Sequence, residues 1–129
     1  MTTFRRLNDI EIDLGGLHFE VYYIDAGEEY GPVIRVFGEV EGKRVETVRF
    51  QAFHKEPHYH LSPQGPQIDM TVEEAKDALG WIMTQVREHL PQWLEKAGYA
   101  EVAKGVDAAA LRRGWTQVRD AALASVPQG

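Results

Sequence analysis

The chain has 129 residues, of which 43% are hydrophobic and 26% charged, and it has no cysteine and a formal net charge of −6. That length suits one domain with its own core, and the lack of cysteine excludes disulfides, thiolate metal sites and cysteine nucleophiles. No apolar run approaches the about 20 residues of a membrane span, and no basic stripe favours nucleic acid. We therefore expect a single cytoplasmic domain over residues 1–129 that binds neither membrane nor nucleic acid.

The first half of the chain has the alternating pattern of β-strands. A Gly-Gly pair, Gly15-Gly16, separates the first two alternating runs and indicates a two-residue hairpin, because both positions can adopt positive φ. Short polar turns separate the later runs, so neighbouring strands are expected to pair antiparallel. The predicted strands are Ile10 to Leu14, Leu17 to Asp25, Val33 to Val40 and Val45 to Phe53.

The two faces of this predicted sheet differ in polarity. One face is apolar, whereas the other mixes charged and apolar side chains. On the mixed face, Arg35 and Arg49 can bind an anion or, as cross-strand charges ordinarily do, pair with Glu39 or Glu46. Because a small sheet leaves two edges and one face to be covered, the mixed face also favours a homodimer.

The second half changes to helical spacing. Thr71-Val-Glu-Glu has the pattern of a capping box and predicts a helix over about residues 72–97. Pro91 either kinks this helix or begins a new segment, and Gly98 is a plausible C-cap.

A final helix is predicted over about residues 108–126, with Asp107 as its N-cap. Gly114 inside it indicates that another element approaches closely. Strands followed by helices are typical of an α+β domain. We therefore predict a four- to five-stranded antiparallel meander packed on one face by two main helices.

A histidine-containing segment joins the two halves. Pro57 bends or ends the fourth strand, and the following His58-Tyr59-His60-Leu61 predicts a short strand with both imidazoles on one face. Together with His54 and the carboxylate of Asp69, these imidazoles can ligate a divalent metal such as zinc. The alternative is a structural role, in which the histidines rigidify the loop or line an interface.

The same segment carries a resemblance. Phe53 to His60 reads Phe-x-x-x-Pro-His-Tyr-His, preceded by Arg49-Phe50 and followed by a Pro/Gln loop and a helix with an acidic cap. This arrangement resembles small uncharacterised bacterial proteins of unknown function over about residues 45–105. The resemblance implies no activity and assigns no catalytic residue.

Three functions are consistent with these patterns. The favoured one is a non-enzymatic interaction or accessory protein that forms a homodimer. The second is a metal-dependent enzyme, hydrolytic in type, that uses His58 and His60 with His54 or Asp69. The third is a small-molecule-binding domain with a pocket between sheet and helices. The residues proposed for a pocket or interface are Tyr59, Trp81, Phe53 and Phe37, with Tyr22 as a further member.

Overall fold

A computed structural model describes residues 4–62 and 64–128 and shows one six-stranded sheet followed by helices. All neighbouring strands pair antiparallel and follow the chain order. The strands are β1 (Arg5–Leu14), β2 (Leu17–Asp25), β3 (Tyr30–Val40), β4 (Lys43–Gln51), β5 (His58–Leu61) and β6 (Gln67–Asp69). The α+β class is confirmed, but the predicted count of four to five strands is too low. The short β6 lies in a Pro/Gln/Gly-rich stretch that carries no alternation.

The helices are shorter than the sequence predicted. They are α1 (Val72–Ala75), α2 (Ala78–Thr84), a π-helical turn (Gln85–His89), α3 (Leu90–Lys96), α4 (Ala100–Lys104) and α5 (Ala108–Ser125). The predicted helix over 72–97 is divided because Asp77 caps α2, accepting a hydrogen bond from the backbone of Gly80 at 3.0 Å. Pro91 lies in the first turn of α3, and Gly98 has the left-handed φ of 94° expected after a helix end.

Helix α5 packs closely on the first hairpin. The carboxylate of Asp107 accepts a hydrogen bond from the backbone of Ala110 at 3.1 Å, which confirms the predicted cap. A Cβ added to Gly114 would lie 2.5 Å from Cδ1 of Leu14 in β1. A small residue is therefore required at this contact, as the sequence indicated.

The helices cover one face of the sheet and form the main core with it. Phe19, Ile34 and Phe50 on that face are fully buried, together with Leu94 and Val118 on the helices. Burial of such large apolar side chains is the main favourable term in folding. None of the described helices is long and apolar enough to cross a membrane.

We call the opposite side of the sheet the outer face. Strict alternation would separate Glu46 from Arg49, but a bulge in β4 shifts the register between Val36 and Phe37 and leaves Thr47 as the extra residue. Glu46 therefore reaches the same side as Arg49. The members of the outer face include Glu11, Asp13, His18, Glu20, Tyr22, Val33, Arg35, Phe37, Glu46, Arg49, Gln51, His58 and His60.

Candidate functional site

A network of charges crosses the middle of the outer face. Arg35 donates through Nη1 to Glu20 at 2.9 Å and through Nη2 to Glu46 at 2.8 Å. Arg49 donates through Nε and Nη2 to the two oxygens of Glu46, at 2.6 and 3.0 Å. Both arginines thus pair with Glu46, which is one of the two partners that the sequence indicated.

Glu46 is the most enclosed member of this network, with a side chain only 7% exposed. Burial raises the pKa of its carboxyl, but the hydrogen bonds from Arg49 and Arg35 outweigh burial, so the pKa lies below the ordinary value for Glu. Glu46 is therefore held as a carboxylate that orients both guanidinium groups.

A third guanidinium completes the polar side of the network. Arg6 donates to Asp9 at 2.9 Å and to Glu20 at 3.1 Å. Its guanidinium carbon lies 3.7 Å from the centre of the Tyr22 ring, a cation–π contact. Burial raises the pKa of the Tyr22 phenol, while the charges of Arg35 and Arg6 oppose that rise.

These groups border an open hollow of about 620 Å³, which we call the arginine hollow. Its lining residues are Phe4, Arg6, Tyr22, Ile24, Ala26, Val33, Arg35, Arg49, Gln51 and Phe53. The described lining contains three arginines and no carboxylate, although the whole chain is acidic. Two buried atoms in its wall, Nε of Arg35 and Oε1 of Gln51, have no hydrogen-bond partner among the described residues.

The histidine segment lies beside this hollow. His58 and His60 are on one face of β5, as predicted, and their ring centroids are 5.3 Å apart. The Nδ1 of His58 faces the carbonyl of Glu56 at 2.8 Å, and the Nδ1 of His60 faces the carbonyl of Gly65 at 3.2 Å. Each imidazole is thus held by backbone.

The other two predicted metal ligands have different neighbours. His54 is exposed and stacks on Tyr30 with ring centroids 4.8 Å apart. Asp69 lies opposite His58 in the pairing of β5 with β6 and accepts a hydrogen bond from Gln67 at 2.8 Å. Metal binding by His54, His58, His60 and Asp69 stays a prediction.

A different group of metal-ligating side chains converges on the first hairpin. In the part of the chain that the structure describes, Glu11, His18 and Glu20 each offer a ligand atom within 4.8 Å of the others. His18 also faces Asp13, with 2.7 Å between Nδ1 and Oδ1. We call Glu11, Asp13, His18 and Glu20 the hairpin cluster.

Sequence reasoning missed the hairpin cluster, although the signal was present. A two-residue turn at Gly15-Gly16 pairs Asp13 with His18 and Glu11 with Glu20. Alternation then places all four side chains on one face. The cluster therefore follows from the predicted hairpin once the residues of its two strands are paired across the turn.

The aromatic residues predicted to line one pocket are divided between the two faces. Tyr59 and Trp81 lie on the helix side, with ring centroids 5.8 Å apart, and both pack against Trp93. Phe37 and Phe53 lie on the other side of the sheet, where the ring centroids of Phe53 and His58 are 5.5 Å apart. The structure does not bring these four predicted residues together, because Tyr59 and Trp81 pack against the core between sheet and helices whereas Phe37 and Phe53 lie on the opposite side of the sheet.

Comparison with known proteins gives one match. A family model described as "Domain of unknown function (DUF7700)" covers residues 11–122. No curated protein and no solved structure matches the chain.

Proposed function

The chain belongs to the DUF7700 family of domains of unknown function, and we propose that it is a non-enzymatic binding protein whose arginine hollow takes small organic anions with an apolar body. Membership agrees with the resemblance to an uncharacterised family, while the bacterial origin and the Pro-His-Tyr-His motif stay predictions. The observation that carries the proposal is the lining of the hollow, in which three guanidinium groups border apolar walls while the carboxylates that they pair with, Asp9, Glu20 and Glu46, lie outside that lining.

The guanidinium groups retain donors for a ligand. Arg6 and Arg49 use Nε and Nη2 for their bonds to Asp9, Glu20 and Glu46. The Nη1 of each has no acceptor within the described ranges. Carboxylates, sulfonates and phosphates are the groups that guanidinium donors recognise best.

The walls and floor of the hollow favour an apolar body on the same ligand. Ile24 and Ala26 line the hollow beside Val33 and Tyr22, which are 1% and 7% exposed. Phe53 and the 64% exposed Phe4 border the hollow. The volume of about 620 Å³ falls within the range typical of small-molecule sites.

The two unpartnered atoms support a ligand as well. A buried polar atom without a partner costs about 1–3 kcal/mol. Both atoms belong to residues that line the hollow. A bound molecule that has both an acceptor and a donor would then satisfy both atoms.

The test compares two fluorescent probes that share one ring system. Anilinonaphthalene sulfonate carries an anion, and phenylnaphthylamine is its neutral analogue. We expect the sulfonate to bind saturably and roughly tenfold more tightly than the neutral probe, since one charge-assisted hydrogen bond is worth about 1.5–3 kcal/mol. Arg6→Gln and Arg49→Gln should each remove most of that preference.

Arg44→Gln is the matched control, because Arg44 is an exposed arginine of the same sheet outside the hollow. It should leave both affinities unchanged. Far-UV circular dichroism and a thermal melt establish that each variant is folded. Equal affinity for the two probes contradicts the proposal, as does chemical-shift mapping that places the sulfonate beside Tyr59 and Trp81.

Homodimerisation stays a prediction beside this proposal. A second copy seated on the outer face would cover the arginine hollow and compete with the probe. Light scattering of the free protein and of the probe complex tests whether a second copy and the probe compete. Dissociation of a dimer on adding anilinonaphthalene sulfonate would show that both bind the same surface.

A further inference from the structure

We propose that the hairpin cluster is a binding site for a divalent transition-metal ion of the zinc type, held by His18, Glu11 and Glu20 and oriented by Asp13. This site shares Glu20 with the charge network but lies outside the lining of the arginine hollow, and it does not depend on the function proposed for the hollow. It also differs from the metal site that the sequence predicted in the histidine segment.

Both ring nitrogens of His18 face carboxylate oxygens. Nδ1 lies 2.7 Å from Oδ1 of Asp13, and Nε2 lies 3.0 Å from Oε1 of Glu11. A carboxylate accepts hydrogen bonds and donates none, whereas a neutral imidazole has one donor and one acceptor. A neutral imidazole can therefore donate to one of the two acids, and its other nitrogen offers a lone pair to a cation that the second acid shares.

One of the two neutral tautomers of His18 suits a metal ion at Nε2. A donor at Nδ1 directed to Asp13 leaves the lone pair of Nε2 pointing toward Glu11. A carboxylate behind a metal-bound imidazole is the common arrangement around protein metal sites, where it fixes the ring and raises its basicity. The side chain of His18 is 11% exposed, so its orientation is restrained by packing as well.

The distances also suit ligands of one ion. Zinc bonds to imidazole nitrogen and carboxylate oxygen are about 2.0–2.2 Å long, so two ligand atoms on one tetrahedral ion lie roughly 3.3–3.6 Å apart. Nε2 of His18 and Oε1 of Glu11 are 3.0 Å apart, slightly closer than such a pair, and the third ligand atom is within 4.8 Å. Small rotations of exposed Glu11 complete the approach.

Glu20 can serve both the charge network and the ion. Its Oε1 accepts hydrogen bonds from Arg6 and Arg35 at 3.1 and 2.9 Å. Its Oε2 accepts none from a residue that the structure describes and is the atom left for a metal. Imidazole and carboxylate ligands together suit zinc and its first-row neighbours.

The site leaves room for a further ligand on the ion. Three protein ligands fill three of the four positions of a tetrahedral zinc ion. His18 also lines a hollow of about 400 Å³ next to the hairpin, together with Asp13 and Arg44. The chemistry therefore fits an ion that keeps one position for water or a small anion.

The experiment titrates the metal-free full-length protein with zinc by calorimetry and with cobalt by visible absorption. We expect one ion per chain for each metal. His18→Ala should abolish this binding, Glu11→Gln should weaken it, and Asp13→Asn should weaken it about 10- to 100-fold, the usual effect of removing the acid behind a ligating imidazole. Histidine nitrogen NMR should show the Nε2 signal of His18 shifting when zinc is added.

Two control variants distinguish this site from other surface ligands. His89→Ala removes an exposed imidazole, and Glu39→Gln removes an exposed carboxylate near the same hairpin. Both should bind zinc as the parent protein does. The double variant His58→Ala, His60→Ala tests the histidine segment in the same titration and should also bind normally.

Three results would overturn the proposal. One is the absence of saturable zinc or cobalt binding by the parent protein. Another is a His18 ring that carries protons on both nitrogens and keeps them when zinc is added, which would identify the cation as a proton. The last is binding that survives His18→Ala but is lost in the His58→Ala, His60→Ala variant, since that would place the metal on β5. Circular dichroism verifies the fold, and Glu11→Gln at a largely exposed position provides a second readout if His18→Ala fails to fold.

Discussion

At the scale of single residues, Glu46 holds the outer face together. It binds Arg35 and Arg49 from two adjacent strands while its own side chain is 7% exposed. Removing one member of a buried ion pair leaves the other charge without a partner, which is more costly than the pair itself is worth. The two arginines are partly exposed, so water compensates for some of that loss.

Glu46→Gln should therefore lower the free energy of unfolding at neutral pH by about 2 kcal/mol. The folded-state pKa of Glu46 lies below the unfolded value of about 4.3. A carboxyl with a depressed folded pKa contributes stability above its unfolded pKa and loses it as the pH falls through the folded pKa. The difference between parent and variant should thus shrink below about pH 4, measured by urea unfolding across a pH series.

Glu28→Gln is the control for this prediction. The side chain of Glu28 is 92% exposed and reaches Lys55 only at 3.4 Å, so its removal should change the stability by less than about 0.5 kcal/mol. A Glu46→Gln difference that is constant from neutral to acidic pH would contradict the role assigned to its ionised form.

At the scale of secondary-structure elements, β3 begins where the chain passes very close to the end of β4. Gly31 has a φ of 152°, and a Cβ added to it would lie 2.2 Å from the carbonyl oxygen of Ala52. Ala52 cannot retreat easily, because its backbone donates a hydrogen bond to Pro32 at 2.9 Å. Only glycine fits this position without moving a strand.

Gly31→Ala should accordingly destabilise the protein by about 3 kcal/mol, from overpacking added to backbone strain. Gly27→Ala is matched to it, since Gly27 has a φ of 81° in the preceding turn and no atom of the described residues lies within 4 Å of an added Cβ. It should cost about 1 kcal/mol from strain alone. Equal losses for the two variants in urea unfolding would show that the contact with Ala52 is unimportant.

At the scale of the whole molecule, helices and sheet share one core. The ring centroids of Phe50 in β4 and Trp93 in α3 are 5.2 Å apart. Helix α5 packs on β1, β2 and β3. Such sharing is the condition for one cooperative unfolding unit. The shared core therefore supports the prediction that residues 1–129 form a single domain.

We expect tryptophan fluorescence, which reports on the helix layer, and far-UV circular dichroism, which reports on both layers, to give coincident urea transitions. The three tryptophans, Trp81, Trp93 and Trp115, all lie in helices. A fluorescence midpoint below that of circular dichroism would mean that the helices leave the sheet before it unfolds, and the single-domain prediction would be wrong.

Local sequence patterns were sufficient for most elements. Alternation, the Gly15-Gly16 turn and the caps at Thr71 and Asp107 act within a few residues, so they predicted strands, hairpin and helix starts correctly. They did not predict the start of β1 at Arg5, because a bulge between Leu7 and Ile10 interrupts the alternation. The bulge is stabilised from outside, by a hydrogen bond from the side chain of Asn8 to the carbonyl of Ser125 at 2.9 Å.

The sequence by itself determined the α+β class, the antiparallel meander and the face of β5 that carries His58 and His60, since these follow from periodicity and turn chemistry. Only the tertiary structure decided which side chains meet. The arginine hollow joins residues from β1 to beyond β4, and Glu46, which orients two of its arginines, reaches the same face through a bulge at Thr47 that alternation does not show. Contacts between strands depend on register, and register depends on bulges and on distant hydrogen bonds as well as on the local pattern.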